Sequence, residues 1–245
     1  MKPLPLMNKL TRLSFRSGLL AVVLSFASAV PVFAAKSSAE QWLNDYYRNP
    51  APERLTTAVY ELSRTGYFEE AGHVPLAIGF LATVFAQNPD KVDSWLGVNR
   101  VLPVSHQRIV IAALWYSGNP KGADYLRSYA RDCDPELRAS LESMLTTAPS
   151  LPNASVMSTS SLNLQWGVFL ATGDSAPVRS ILAALATNDT ATLGRDVRWS
   201  LAQNAAQHER VLKICRDELS RQPKEVRESL SAVITDAEAK RNPSS

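Results

Sequence analysis

Apolar positions recur at helical spacing almost from one end of the chain to the other. Ser38–Arg48 (SAEQWLNDYYR) sets Trp42, Leu43, Tyr46 and Tyr47 on one side of a helix. Pro52 sits in the first turn of a second element, where Leu55, Val59 and Leu62 repeat at i, i+4 and i+7 until Gly66 stops it. Pro75 opens a helix that is apolar on nearly every side (Leu76, Ile78, Phe80, Leu81, Val84, Phe85), the pattern of an element in the middle of a packed assembly. After the break at Asn88-Pro89-Asp90 come Val92, Trp95, Leu96 and Val98, then a second buried run over Ile109–Tyr116. Ala123–Arg131 and Leu137–Leu145 follow, and Leu162–Thr172 carries Trp166, Phe169 and Leu170. The last third is polar helix with narrow apolar stripes: Val211, Ile214, Cys215 and Leu219, then Val226, Leu230, Val233 and Ile234, with Pro223 restarting the chain. Alternating runs are too short for a strand. The expectation is an all-α protein.

The breaks between these helices share a form. Apolar helix, short polar corner and amphipathic helix succeed one another at Asn88-Pro89, at Gly118-Asn119-Pro120, at Gly173-Asp174 and, more weakly, near Gln207-His208. Glycine or Asn permits the left-handed residue that finishes a helix, and Asn, Asp or Ser accepts the unpaired amides that start the next. A helix pair of this kind cannot bury its apolar faces alone, so copies stack. Two architectures fit: stacked antiparallel helical hairpins of degenerate tetratricopeptide-like or α-solenoid type, and an irregular helical bundle. The corners are about 31, 55 and 33 residues apart, without the strict tetratricopeptide spacing.

The corner and its following helix, WGVFLATGDSAPVRSIL (Trp166–Leu182), resemble a stretch of uncharacterised exported bacterial helical-repeat proteins. The resemblance covers about a third of the chain and implies a helical-repeat fold and export, with no activity attached.

Ala148–Ser161 (APSLPNASVMSTSS) is the one linker-like stretch, with two prolines and little to bury. It divides the chain into an N-terminal helical region at 35–148, a linker or long loop at 149–161 and a C-terminal helical region at 162–245. The alternative is one domain over 35–245.

The first 34 residues change the compartment and the charge. Lys2, Lys9, Arg12 and Arg16 form an acid-free leader, Gly18–Val30 is apolar, and Val32-Phe33-Ala34 supplies the small residues of a cleavage site, so a signal peptide over 1–34 with cleavage after Ala34 is expected. The apolar core is shorter than the roughly 20 residues of a spanning helix. The expectation is a bacterial periplasmic or secreted protein with no membrane span in its mature chain. The 26 basic and 23 acidic residues become 22 and 23 once the four leader cations are set aside, so nucleic acid is not an expected partner.

The candidate chemistries are sparse. LATGDSAP has one glycine, no following Lys and an acidic residue, which excludes a phosphate loop in favour of a helix corner. Gly66–His73 (GYFEEAGH) holds Glu69, Glu70 and His73, and Glu70-x-x-His73 is half of a carboxylate-bridged di-iron motif. No second copy exists, so Glu69 and Glu70 are expected to form a solvated corner, with His73 packed at a helix start. Neither His106 nor His208 lies in a motif for nucleophilic catalysis. Glu40, Glu61 and Glu70 are each available as the lone carboxylate of a hydrolase, and nothing nearby selects one. Cys133 and Cys215 are an even pair in an oxidising compartment, so a disulfide closing about 80 residues stands beside two buried free thiols as the alternative. Trp42, Trp95, Trp115, Trp166 and Trp199 are expected as core anchors, and as interface anchors where exposed.

No catalytic, cofactor-binding or metal-binding residue is nominated, and no cofactor is expected. The leading expectation is an exported, non-enzymatic helical-repeat protein that binds another envelope protein or peptide. The alternatives are a periplasmic hydrolase with a lone catalytic carboxylate and a self-associating structural domain.

Overall fold

The computed structural model describes residues 36–132, 138, 141–143, 145–146, 155–186 and 191–242. The leader with its cleavage point after Ala34, residue Cys133 and most of 133–154 lie outside them. The protein is all-α, and no strand occurs among the described residues. In chain order the helices are α1 (Ser38–Asp45), α2 (Leu55–Arg64), α3 (His73–Gln87), α4 (Val92–Trp95), α5 (Val104–Tyr116) and α6 (Pro120–Asp132). They continue with α7 (Thr159–Thr172), α8 (Ser175–Ala183), α9 (Ala191–Gln207), α10 (Glu209–Leu219) and α11 (Lys224–Arg241). Short 3-10 turns at Pro52–Arg54, Tyr67–Glu69, Pro89–Lys91, Leu96–Val101 and Ala184–Ala186 join several of them.

Local chemistry explains the helix ends. Ser37, one residue before the expected start, caps α1 by accepting from the Glu40 amide at 3.2 Å. Pro75 falls in the first turn of α3, and Pro223 is the cap residue of α11. Gly66, Gly118 and Gly173 take left-handed backbone (φ 78°, 69° and 70°) at the ends of α2, α5 and α7. The starts are less uniform than the corner pattern predicts. Asn119 does cap α6, accepting from the Lys121 amide at 2.9 Å. Asp174 has the cap backbone of α8 but no side-chain cap bond; its own amide donates to Thr172 Oγ1 at 3.0 Å. Asn88 turns the other way and donates to the Val84 carbonyl at 2.9 Å, closing α3.

Gly173 is constrained twice. Its φ of 70° is unfavourable for an L side chain, and an added Cβ would stand 2.7 Å from Tyr47 Cδ2. Gly173→Ala is expected to lower stability by about 2 kcal/mol in urea unfolding. A change within experimental error would show that the turn and the Tyr47 ring relax freely.

α3 is the centre of the fold. Ala77, Gly79, Phe80, Leu81, Ala82, Thr83, Val84 and Phe85 are all buried, as the run of apolar residues on every face requires. The most extensive helix contact among the described residues joins α3 to α7. Two glycines permit it. A Cβ at Gly79 would lie 2.2 Å from the Leu164 carbonyl oxygen, and one at Gly167 would lie 2.0 Å from the Leu76 oxygen and 2.7 Å from the Phe80 nitrogen. The two backbones touch where side chains would otherwise hold them apart.

Adjacent helices also pair, α5 with α6, α7 with α8, α9 with α10 and α10 with α11. The α3–α7 contact nonetheless joins helices that α4, α5 and α6 separate in sequence. A nearest-neighbour stack has no such contact, so the repeated corner describes the chain's punctuation, and the core is assembled by long-range packing. The same contact spans the proposed linker, and the residues from Lys36 onward cluster as one unit. The linker is also shorter than expected. Ser158 and Ser161 form a reciprocal capping box, so Thr159–Ser161 already belong to α7.

Buried apolar side chains form a main cluster around α3 and a smaller one of Ile111, Trp115, Leu126, Ala130 and Leu141 between α5 and α6. The seam between these clusters positions the site described next.

Candidate functional site

A cavity of about 390 Å³ lies at that seam, within the size range of ligand pockets. Val74 and Ile78 of α3 and Phe68 of the Tyr67–Glu69 turn bring in the main core. Ile111, Tyr129 and Leu141 bring in the smaller one, and Ile109 and Ala112 of α5 form the wall between. The α5 helix supplies this lining because Ser105, Arg108, Ile109 and Ala112 recur at i, i+3, i+4 and i+7. The polar groups of the described lining are few: Glu69, His106, Ser105, Arg108 and the Tyr129 hydroxyl.

Arg108 is exposed and has no carboxylate partner among the described residues. One turn before it on α5, Val104 is 55% exposed, and Val101 just upstream is 65% exposed. The apolar surface therefore continues past the cavity around the start of α5.

His106 is the buried polar element of the wall. Its Nδ1 lies 2.8 Å from Ser63 Oγ and its Nε2 lies 2.9 Å from Glu69 Oε1. A carboxylate only accepts, so Nε2 carries a hydrogen and donates to Glu69. Serine, histidine and carboxylate stand in the order that activates a nucleophile. Two features set the row apart from a catalytic one: Ser63 is not among the cavity's lining residues, and the Glu69 side chain is 72% exposed. The row links α2, the Tyr67–Glu69 turn and α5, and holds the imidazole as a fixed wall. Sequence reasoning missed it because Ser63 and Glu69 are 43 and 37 residues from His106, beyond any local motif. Glu69 is correspondingly more than a solvated corner.

The carboxylates considered for a lone acid are each engaged elsewhere. Glu61 reaches from α2 to the start of α1, accepting from the Ala39 amide at 3.1 Å and the Ser38 hydroxyl at 2.9 Å. Those bonds hold its pKa below the ordinary carboxylate range, the opposite of what a general acid needs. Glu40 accepts from Ser37 Oγ at 3.2 Å, and Glu70 pairs with His73 at 3.4 Å. None of the three lines the cavity. His73 stacks on Tyr67 with ring centroids 4.0 Å apart and donates to the Tyr67 carbonyl at 3.1 Å, so it does pack at a helix start. No group of three or more His, Cys, Asp or Glu side chains converges among the described residues.

His208 is buried at the corner between α9 and α10. Arg48 donates to its Nδ1 at 3.3 Å and Tyr47 lies 3.4 Å from the same atom, while Nε2 is buried without a partner. Cys215 is a fully buried free thiol, and burial pushes its pKa up to about 12. Its proposed partner Cys133 lies outside the described residues. Trp42, Trp95, Trp115 and Trp166 are buried as core anchors, whereas Trp199 on α9 is 65% exposed. No helix among the described residues is long and apolar enough to cross a membrane.

Compared with protein-family models, with curated proteins and with solved structures, the chain shows no match.

Proposed function

We propose that this chain is an exported binding protein of the bacterial envelope, and that the cavity between α3, α5 and α6 receives the apolar anchor of a segment of another envelope protein. The observation that carries this reading is the cavity itself, mainly apolar and walled by helices. A recessed pocket of this kind is where a buried side chain of a partner concentrates binding energy. The leader sequence supports export. The lone-carboxylate hydrolase has no comparable support, because Glu40, Glu61 and Glu70 are not among the residues lining the cavity.

Photo-crosslinking in the cell envelope tests the proposal. A benzophenone amino acid at Val104, beside the cavity mouth, is expected to give a discrete adduct with another envelope protein. The same group at Glu228, exposed on α11, is expected to give none. Placing a bulky ring across the mouth with Ser105→Trp, at an exposed position, is expected to abolish the Val104 adduct. Equal labelling at both positions, or no adduct, would overturn the reading. An adduct consisting of two copies of this chain would replace it with self-association.

A further inference from the structure

We infer that the bound segment carries a carboxylate beside its apolar anchor, and that Arg108 is the residue that reads it. This rests on the cavity being a docking site for a protein segment, and adds the chemistry of that segment.

Three observations converge on it. Arg108 lines the cavity, is exposed, and has no carboxylate partner among the described residues. The acidic group of the described lining, Glu69, accepts from His106 Nε2 at 2.9 Å rather than pairing with Arg108. Among the described lining residues Arg108 is therefore the cation left without a carboxylate, placed where an incoming acidic group can reach it. A guanidinium presents paired donors that match a carboxylate in geometry as well as sign, so an acidic residue is the complementary partner.

The apolar surface beyond the cavity indicates a polypeptide as the source of that carboxylate. A free fatty acid would place its chain in the cavity and its head at Arg108, and would leave Val101 and Val104 uncovered. These residues are 65% and 55% exposed, and Val104 shares a helix face with Arg108 at i, i+4. A chain segment lying along the start of α5 covers both valines, inserts one apolar side chain into the cavity, and sets an acidic side chain against Arg108. Ser105, also in the lining, adds a hydroxyl at the same edge.

The Val104 crosslinker also supplies the test, with Arg108 as the variable. Replacing an exposed guanidinium leaves the core intact, and unchanged thermal melts of each variant check this. Relative to the parent, Arg108→Glu is expected to reduce the adduct at least about tenfold, because it opposes like charges. Arg108→Gln is expected to give an intermediate loss, and Arg108→Lys to retain most of the yield. Raising the salt concentration during irradiation is expected to weaken the parent and leave Arg108→Gln unaffected. Sequencing of the crosslinked peptide is expected to find Asp or Glu close to the labelled residue.

An adduct whose yield is the same in Arg108→Glu, or whose peptide holds no acidic residue, overturns the inference and leaves the docking site standing. An adduct with the mass of a lipid overturns both. Absence of any adduct in the parent also removes both, because nothing then docks at the cavity.

Discussion

Between pH 7 and pH 4 the protein is expected to lose about 3 kcal/mol of stability through His208 alone. Burial depresses the imidazole pKa from 6.5 to about 4, and the neighbouring Arg48 and Lys36 charges push the same way while Asp45 opposes them. The geometry explains the direction. An arginine can only donate, so the Arg48 contact at 3.3 Å makes His208 Nδ1 an acceptor and leaves the hydrogen on Nε2. Protonation would turn that acceptor into a donor facing a guanidinium, on a ring that is itself buried from solvent. The folded pKa lies below the unfolded value, so in the window between them the unfolded chain binds a proton that the folded chain refuses. Stability from this source is complete above about pH 6.5, declines as the pH falls through about 4, and levels off once the folded imidazole is itself protonated. Urea titrations across that range, compared with His208→Gln, isolate the effect. An identical pH slope in the two proteins would rule it out. The residue sits where Tyr47, Arg48, Phe169 and the α9–α10 corner meet, so its loss is felt at both ends of the chain.

Gly167→Ala is expected to be at least as damaging, costing about 3 kcal/mol or more in the same measurement. The new methyl would stand 2.0 Å from the Leu76 carbonyl oxygen and 2.7 Å from the Phe80 nitrogen. Both are backbone atoms of the buried helix α3, so no rotamer change relieves the clash and α3 and α7 have to separate. Separation opens voids around Phe80 and Phe169, which are wholly buried. Gly79→Ala, 2.2 Å from the Leu164 oxygen, is expected to act alike. The double variant is expected to lose less than the sum, because the first methyl already moves the helices apart. Gly97→Ala is the control, since a Cβ there meets nothing within 4 Å, and a change of no more than about 0.5 kcal/mol is expected. A Gly167→Ala protein as stable as Gly97→Ala would mean that the helices do not approach backbone to backbone.

These two predictions rest on residues that the sequence marks only weakly. Nothing in the residues around Gly79 or Gly167 marks them, because what they permit is a neighbour about 88 residues away. His208 reads as part of a weak corner. Its protonation behaviour depends on Arg48, 160 residues distant, and on a burial that only the assembled fold creates. The Ser63–His106–Glu69 row is hidden for the same reason. By contrast Gly66 and Gly173 were readable as helix stops, since a left-handed residue after an apolar run is a local requirement. The all-round apolar pattern of α3 likewise announced a central helix. Asp174 does stand at the start of α8, but without a side-chain cap bond, because side-chain capping depends on a rotamer that neighbouring groups decide.

The sequence by itself determined an all-α chain, its helices and most of their ends, and the leader that directs the expectation of export. Period, turn chemistry and capping act over a few residues, so the order of residues suffices to read them. The tertiary structure alone decided which helices touch, that α3 and α7 close the core across the presumed linker, and that a cavity remains where two apolar clusters fail to merge. It also decided which of the charged and aromatic residues stay available at the surface: Arg108 beside that cavity, and Trp199 on α9. Those outcomes depend on shape complementarity between elements far apart in sequence, and hydrophobic burial, which drives the packing, has no direction of its own.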